Sequence, residues 1–309
     1  MSVSVLGIDT SNYTTSIAVC VDGEITENVK LPLTVKAGEI GVRQNDAVFL
    51  HTVNLPKAFD MLQADIKSIS AVGCSDRPRD VKGSYMPCFL CGQTAAAIIS
   101  DTLKIPVYKN SHQQGHIKAA VYSSKMPEYE KFYAYHLSGG TLELLSVTYD
   151  GLSYDCEITG KTLDVTAGQM IDRVGVMLGL AFPCGKELEE LAGQNTEKLP
   201  KISVSVNGTN CNLSGLQNKA EDMIKNGRPP EFISAYVLEF IKITIDKMTE
   251  NVYKKEKLPL LFSGGVSSNR YLKEYFTNKY GAYFAEPVYS ADNAAGTALL
   301  TYQRFIYGK

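Results

Sequence analysis

The sequence has no long apolar run and no segment that resembles an export signal. No stretch approaches the roughly 18 apolar residues that a membrane-spanning helix requires. The start, MSVSVLGIDTS, has no basic region followed by an apolar core, so we expect no secretory signal. The 309 residues are 44% hydrophobic and 21% charged, which is typical of a soluble globular protein. We therefore expect a cytoplasmic protein that does not contact a membrane.

A charge excess and paired cysteine motifs are also missing. The formal net charge is −2, so any contact with nucleic acid would need a local patch or a partner. Seven scattered cysteines, an odd number, predict reduced thiols. Cys88 and Cys91 match C-x-x-C, but there is no second pair and no thioredoxin-like context. Buried cysteines are therefore favoured over a redox or zinc site.

The sequence does contain a pattern that occurs twice. Strand, small polar loop, strand, Asp-Gly turn and strand follow one another from residue 3 and again from Phe132. The two hairpin turns are Asp22-Gly23 and Asp150-Gly151. Alternating helices and strands follow each unit. This duplication predicts an α/β protein with two lobes and a cleft between them, divided into residues 1–110 and 111–309, with the last helix able to pack back on the first lobe.

The alternating segments include helices whose positions can be predicted. Helices are expected near residues 88–103 and 230–253. In the second, Val237, Ile241, Ile245 and Met248 follow at spacings of four, four and three, so they would form one apolar face of the helix. The strand at residues 259–265, PLLFSGG, is expected to run into a helix whose start is marked by Ser267 and Ser268.

Three loops rich in glycine and hydroxyl residues follow predicted strands, at Asp9–Asn12, Ser138–Thr141 and Gly264–Ser268. Backbone N–H groups in such loops can bind phosphate. Tight turns use the same residues, so one loop alone would favour a turn. Three loops in a duplicated context favour a nucleotide-like ligand.

Two of the four histidines, His112 and His116, lie four residues apart in HQQGH. On a helix they would face the same way. With one carboxylate from elsewhere they would form a two-His, one-Asp set suited to iron or zinc; two solvated or core histidines are the alternative. Gln113 stands where a metallopeptidase needs a glutamate as base, which disfavours peptidase chemistry.

Together these motifs resemble those of the catalytic subunit of the tRNA threonylcarbamoyladenosine synthases, proteins formerly described as glycoproteases. The resemblance covers essentially the whole chain through GIDTS, HQQGH, LSGGT, TAGQMIDRVGVMLGLAFPCG, LSGL, LLFSGGVSSNR and SADNAAG, in that order. It implies the two-lobed fold of actin, hexokinase and heat-shock protein 70, with duplicated mixed sheets flanked by helices.

The resemblance also implies a reaction, in which a threonylcarbamoyl group passes from threonylcarbamoyl-adenylate to N6 of the adenine beside the tRNA anticodon. By position, His112, His116 and Asp292 would bind one divalent metal ion, iron or zinc. The adenine nucleotide or acyl-adenylate would be bound by His136, Leu137, Ser138, Gly139, Gly140, Asp172, Gly185 and Asn269. Expected partners are a paralogous subunit and an ATPase, with tRNA reached through them.

Several positions depart from the family pattern. After GIDTS the family has cysteine and an Asp-Glu pair, whereas this chain has Asn12, Tyr13 and Thr14. Thr141 replaces a histidine, and Gln169 replaces a glutamate. Because these positions lose polar reactive groups, no residue is assigned as catalytic. Two functions remain: a threonylcarbamoyl-type transferase, or a catalytically weakened nucleotide- and metal-binding paralogue that serves as a partner subunit. A small-molecule kinase is a third alternative, but no catalytic aspartate follows a phosphate loop.

The segment at residues 75–92 replaces a short glycine-proline-glycine loop of the family. It contains Arg77, Arg79 and Lys82 within six residues. It is interpreted either as a solvated loop or as a basic lip over an anionic ligand or a changed partner surface.

Overall fold

The chain forms two compact units in a computed structural model that describes residues 2–11, 13–34, 42–291 and 293–308. The first unit comprises Met1–Ser123, Thr148–Cys156 and Val288–Lys309, and the second comprises Ser124–Val147 and Glu157–Pro287. These are five successive segments, so the chain passes between the units four times. The predicted division, residues 1–110 and 111–309 with the last helix able to pack back on the first lobe, has at most two such passages. No helix in the described ranges has the length and hydropathy that a membrane span requires.

The elements are numbered in chain order. The strands are β1 (Ser4–Ser11), β2 (Thr14–Val21), β3 (Glu24–Pro32), β4 (Ile69–Arg77), β5 (Val107–Ser111), β6 (Lys131–Leu137), β7 (Leu142–Tyr149), β8 (Tyr154–Lys161), β9 (Ser205–Asn207), β10 (Asn210–Asn212), β11 (Leu260–Ser263) and β12 (Tyr283–Phe284). The helices are α1 (Gln44–Asp60), α2 (Phe89–Leu103), α3 (His112–Ser124), α4 (Ala167–Met177), α5 (Gly185–Gly193), α6 (Ser214–Lys225), α7 (Pro230–Tyr253), α8 (Arg270–Tyr280), α9 (Pro287–Ser290) and α10 (Ala295–Tyr307). Short 3₁₀ turns cover Ile66–Ser68 and Gly265–Ser268.

The first sheet has the order β3-β2-β1-β4-β5, with β1 antiparallel to β2 and parallel to β4. Side chains alternate along β1, so Leu6 and Ile8 join the core beneath α1 and α2. Val5 points to the other face, where it packs with Ala298 and Leu299 of α10. Burying one such aliphatic side chain contributes roughly 1.5–3 kcal/mol. The central position of β1 therefore places its carboxyl end, Asp9 to Ser11, firmly.

The second sheet, read from its other edge, has the order β8-β7-β6-β11-β12. This repeats the order of the first sheet: the first strand of the unit is central, its two hairpin strands lie on one side and its crossover strands on the other. The predicted duplication is therefore confirmed. The core of this unit includes the predicted apolar face of α7, whose members are all buried: Val237, Ile241, Ile245 and Met248.

The start of α8 differs from the prediction. The helix begins at Arg270, and its N-cap is Asn269, whose side chain accepts a hydrogen bond from the Leu272 N–H at 3.0 Å. Ser267 and Ser268 lie in the preceding 3₁₀ turn. The Ser267 hydroxyl donates to the Ser263 carbonyl at 2.7 Å. Asn269, with extended backbone (φ −63°, ψ 123°), is the residue directly before the helix, so its side chain rather than that of either serine caps the helix.

Candidate functional site

The histidine pair lies on α3, whose backbone is packed directly against α10. A Cβ added to Gly296 would lie 1.8 Å from the Gly115 carbonyl oxygen, so the two backbones are in contact. A Cβ on Gly115 would lie 3.2 Å from Oγ1 of Thr297. The glycine within HQQGH thus permits close helix packing. This packing fixes the position of the helical turn that carries His112 and His116.

The two imidazole rings converge in the way that two ligands of one metal ion must. Nε2 of His116 lies 2.9 Å from Nε2 of His112, and the ring centroids are 4.3 Å apart at nearly right angles. Two nitrogens facing one point are suited to bind one cation from the same side. The proposed third ligand, Asp292, lies outside the described residues. Within the described ranges, no group of three histidine, cysteine, aspartate or glutamate side chains is placed to hold a metal, so the ligand set stays a prediction.

A residue that sequence reasoning did not connect with the histidines contacts one of them. Asp9, only 1% exposed, lies with Oδ2 at 2.8 Å from Nδ1 of His112. Ser75 donates its hydroxyl to the same carboxylate oxygen at 2.5 Å, and the Ser11 N–H donates to the other at 2.9 Å. The sequence signal was present, since Asp9 opens the first of the three polar loops. Its partner, however, is 103 residues away.

The carboxylate of Asp9 is held in its charged form. Burial alone would raise its pKa, but the nearby His112 and hydrogen bonds from His112, Ser75 and Ser11 outweigh burial and lower the pKa. An ionised carboxylate can only accept hydrogen bonds. Asp9 therefore requires a proton on Nδ1 of His112.

The predicted nucleotide residues lie in the second unit, starting at the loop after β6. The Gly140 and Thr141 N–H groups both donate to the Ser138 hydroxyl, at 3.3 and 3.0 Å. A Cβ added to Gly168, in the first turn of α4, would lie 2.7 Å from the Ser138 carbonyl oxygen. The loop therefore rests on α4 at a position where only glycine fits.

The beginning of α4 also bonds to this loop, since Thr166 donates its hydroxyl to the Gly139 carbonyl at 2.8 Å. The end of β11 and the glycine that follows it also contact the end of β6 and the start of the loop. Ser263 Oγ lies 3.3 Å from Nδ1 of His136, and Gly264, at φ +92°, would place a Cβ 2.3 Å from the Leu137 carbonyl oxygen. Residues of α4 and of the end of β11 therefore both pack against the loop.

Further contacts link α4, α5 and α8. Asp172 accepts a hydrogen bond from the Cys184 N–H at 2.9 Å, which fixes the start of α5 at Gly185. Glu189 on α5 accepts from the Arg270 N–H at 2.7 Å, next to Asn269. The structure therefore places the predicted residues of this unit along one connected path of β6, α4, α5 and α8.

A cavity of about 540 Å³ adjoins this path within the second unit. Its lining includes Lys186 beside Gly185 and Arg270 beside Asn269, together with Leu199 and Leu238. Three carboxylates also line it, those of Glu189, Glu190 and Glu274. Such a mixture of polar and apolar side chains is compatible with a small-molecule pocket of this size. The cavity was not predicted, because its walls come from α5, α7 and α8.

The residues that depart from the family pattern lie at exposed or partly exposed positions. Tyr13, 48% exposed, occupies the turn between β1 and β2, and Thr14 begins β2 opposite Ser11. Gln169 is exposed in the first turn of α4, and Thr141 is half-buried. Asn12 lies outside the described residues.

The segment at residues 75–92 carries less available positive charge than its sequence indicates. Arg77 forms ion pairs with Asp76 and, at 2.8 Å, with Asp80. Within the same segment Cys88 is buried, and burial raises its pKa to about 11, so its thiol stays protonated at neutral pH.

Solved structures with a similar backbone show the fold. The ROK hexokinase from Thermus thermophilus matches with a TM-score of 0.53 at 13% identity, over 98% of each chain. HypF from T. kodakarensis matches with a TM-score of 0.59 at 13% identity, over 99% of this chain and 48% of that chain. These matches confirm the predicted α/β fold of the actin and hexokinase class.

Sequence relatives identify the family. The TsaD model, tRNA N6-adenosine threonylcarbamoyltransferase, matches residues 25–299. The tRNA N6-adenosine threonylcarbamoyltransferase of Thermus thermophilus is 31% identical over 317 residues, which cover 98% of this chain and 92% of that protein. A probable bifunctional tRNA threonylcarbamoyladenosine biosynthesis protein of Thermoplasma volcanium is 28% identical over 94% of this chain, which spans 54% of that relative's length. The chain belongs to the tRNA N6-adenosine threonylcarbamoyltransferase family.

Proposed function

We propose that this chain transfers a threonylcarbamoyl group from an acyl-adenylate to N6 of the adenine beside a tRNA anticodon. The observation that carries the proposal is the family match over residues 25–299. In the reaction, N6 attacks the carbamoyl carbon, and the bond between that carbon and the adenylate phosphate oxygen breaks. AMP leaves with the electron pair, and N6 loses a proton.

The metal-binding residues in this proposal are His112, His116 and Asp292. The convergent Nε2 atoms of the two histidines fit a divalent ion such as iron or zinc. When bound, such an ion would stabilise negative charge on the carbamate or phosphate oxygens.

The nucleotide would be bound by the second unit. No described atom lies within 4 Å of a Cβ built on Gly139 or Gly140, so a phosphate can approach the loop backbone closely. Asp172 has two carboxylate oxygens, of which one accepts the Cys184 N–H, and the other is suited to a ribose hydroxyl. The adjoining cavity is large enough for the adenine ring.

Removal of the N6 proton is the step of the reaction for which this protein is least well equipped. Tyr13, Thr14 and Gln169 stand at the positions where family members have carboxylates, and none of these side chains is a useful base at neutral pH. Loss of one positioned general base typically slows a reaction about 10²–10⁴-fold. We therefore propose that this chain alone transfers the group at least roughly a hundredfold more slowly than a relative with the Asp-Glu pair.

Mass spectrometry of reactions containing purified protein and threonylcarbamoyl-adenylate, with and without tRNA, tests the proposal directly. Modified adenosine in the tRNA supports transfer, whereas intact adenylate and unmodified tRNA argue against it. Exchanging Tyr13→Asp and Thr14→Glu together should raise the transfer rate. Both positions lie at a partly exposed hairpin, so the exchange need not disturb the core. If the wild-type protein transfers the group as fast as a relative that has the Asp-Glu pair, the two carboxylates are not required.

A partner-subunit role is the second candidate, favoured by apolar side chains on the first unit. Phe49 on α1 and Ile98 on α2 are 66% and 61% exposed, and Val53 and Leu90 are also exposed on these helices. Exposed apolar side chains that together form a contiguous patch mark interaction sites. A paralogous subunit and an ATPase are the proposed partners, and relatives described as bifunctional biosynthesis proteins are consistent with such an association. Co-purification with a paralogous subunit, lost in Phe49→Ser and Ile98→Ser but kept in Lys104→Ser at exposed Lys104, would support this role.

A further inference from the structure

We propose that Asp9 is a positioning residue that orients His112 for metal binding. This inference rests on the proposed metal site and assigns the residue that prepares it. Oδ2 of Asp9 lies 2.8 Å from Nδ1 of His112, and because an ionised carboxylate can only accept, the proton of this contact is on Nδ1. With the proton held on Nδ1, the lone pair of the neutral ring is on Nε2. Nε2 is the atom that lies 2.9 Å from Nε2 of His116.

Asp9 is not placed to bind the metal ion itself. Its carboxylate contacts Nδ1, on the opposite side of the imidazole ring from the nitrogen that faces His116. Histidines that bind metals usually donate their second N–H to a carboxylate or a carbonyl, which fixes the tautomer and the ring orientation. Asp9 thus acts on the metal through His112.

The carboxylate is itself held rigidly by neighbouring elements. Ser75 on β4 donates to Oδ2, and the Ser11 N–H donates to Oδ1. Ser75 Oγ also lies 3.2 Å from Oγ1 of Thr297 on α10, to which Asn110 donates its side-chain N–H at 3.2 Å. These residues are buried, so water does not compete for the bonds.

The hydrogen-bond network around Asp9 and the packing of α3 together fix the position and the rotation of the His112 ring. The network joins β1, β4, β5 and α10, the same helix whose Gly296 contacts the backbone of α3. Backbone packing sets the distance of the histidine helix from the sheet, and the carboxylate sets the rotation of the ring. Neither contact alone fixes both properties.

The first test measures the tautomer of His112 in metal-free wild-type protein by ¹⁵N NMR of histidine-labelled samples. We expect a proton on Nδ1 at neutral pH, whereas an unconstrained neutral imidazole prefers its proton on Nε2. A proton on Nε2 of His112 in wild-type protein would overturn the proposal, and this result requires no variant to fold.

The second test compares Asp9→Asn and Asp9→Ala with Asp22→Asn. Asp22 is an exposed carboxylate in the β2–β3 turn that accepts bonds from the Val3 N–H and the Ser2 hydroxyl, so it matches the chemical change far from the histidines. Titration of Zn²⁺ against a chromophoric chelator should show about 10–100-fold weaker binding for the Asp9 variants and no change for Asp22→Asn. The Asp9 variants should also lose the Nδ1-protonated tautomer. Unchanged Zn²⁺ affinity in folded Asp9 variants would overturn the proposal.

The two tests separate this inference from the metal site on which it rests. If wild-type protein takes up no Zn²⁺ or Fe²⁺ although His112 shows the expected tautomer, the metal site is wrong and Asp9 has only a structural role. If wild-type protein binds metal with the proton of His112 on Nε2, only the role of Asp9 is wrong. Ser75→Ala, which keeps the Asp9–His112 contact, should weaken Zn²⁺ binding less than Asp9→Asn, and equal losses would contradict the proposal.

Discussion

The two groups of predicted site residues are supported in opposite ways. In the first unit, His112 is held by a buried carboxylate and the hydroxyl groups behind it. In the second unit, the loop at Ser138–Gly140 is held by backbone packing at positions where a side chain would not fit, such as Gly168. The histidine site should therefore be sensitive to lost polar groups, and the loop site to added carbon atoms.

This difference follows from what each site would bind. A metal needs donor atoms with a defined tautomer and direction, which only side chains with their own hydrogen-bond partners can supply. A phosphate needs close access to backbone N–H groups, and any side chain in the way would block it. Four predictions, from the largest expected effect to the smallest, test this contrast.

The largest effect is expected from replacing both His112 and His116 with alanine. Loss of both convergent nitrogens should abolish stoichiometric metal, measured by elemental analysis of protein purified with Fe²⁺ or Zn²⁺. Gln113→Ala, on the same turn of α3, is the control and should keep its metal. A double variant that retains one metal per chain would place the site elsewhere.

Gly168→Ala should destabilise the second unit and displace the phosphate loop. The new Cβ would lie 2.7 Å from the Ser138 carbonyl oxygen, so the backbone has to shift. Overpacking of this kind costs about 1–3 kcal/mol in the free energy of unfolding, measured by urea denaturation. Gly215→Ala on α6, where a Cβ meets no described atom within 4 Å, should be neutral or up to about 1 kcal/mol more stable. Equal changes in the free energy of unfolding for the two substitutions would contradict the close packing of the loop on α4.

Gly185→Ala should weaken nucleotide binding without lowering stability. A Cβ at Gly185 has open space in the structure, so only a bound ligand can be displaced by it. A steric cost of about 1.4 kcal/mol would raise the Kd for an adenine nucleotide about tenfold in calorimetry. The free energy of unfolding should equal that of wild type or be up to about 1 kcal/mol higher, because Gly185 begins α5. An unchanged Kd would indicate that the bound nucleotide does not lie against Gly185.

The smallest effect concerns the pH dependence of the first unit. His51 is buried on α1, with Nδ1 at 2.8 Å from the Thr15 hydroxyl, and burial lowers its pKa below 6.5. Below pH 6.5 the unfolded chain therefore binds a proton that the folded chain does not, and stability falls as the pH decreases. His51→Gln should reduce this loss between pH 7.5 and 5.5 by an amount on the order of 1 kcal/mol, measured by denaturant titration at each pH. A variant with the same slope as wild type would show that His51 does not contribute.

Local sequence patterns predicted much of the fold, and one of their errors, the start of α8, was also local. The Asp-Gly turns, the alternating strands and the apolar face of α7 all correspond to observed elements. The start of α8 was predicted from Ser267 and Ser268, but the cap is Asn269. Serine and asparagine have similar capping preferences. The choice between them depended on where the 3₁₀ turn ends, because Ser267 and Ser268 lie inside the turn and Asn269 directly follows it, and the pattern does not reveal this.

The sequence by itself determined the duplicated units, the helical spacing of His112 and His116 and the family, because each follows from residues close in the chain or from ordered motifs. Only the tertiary structure decided that Asp9 contacts His112, that Gly168 supports the Ser138 loop and that α5, α7 and α8 enclose a cavity. Such contacts join residues far apart in the chain. Their distances are set by sheet order and by the backbone packing of helices, and these properties emerge only when the whole core is assembled.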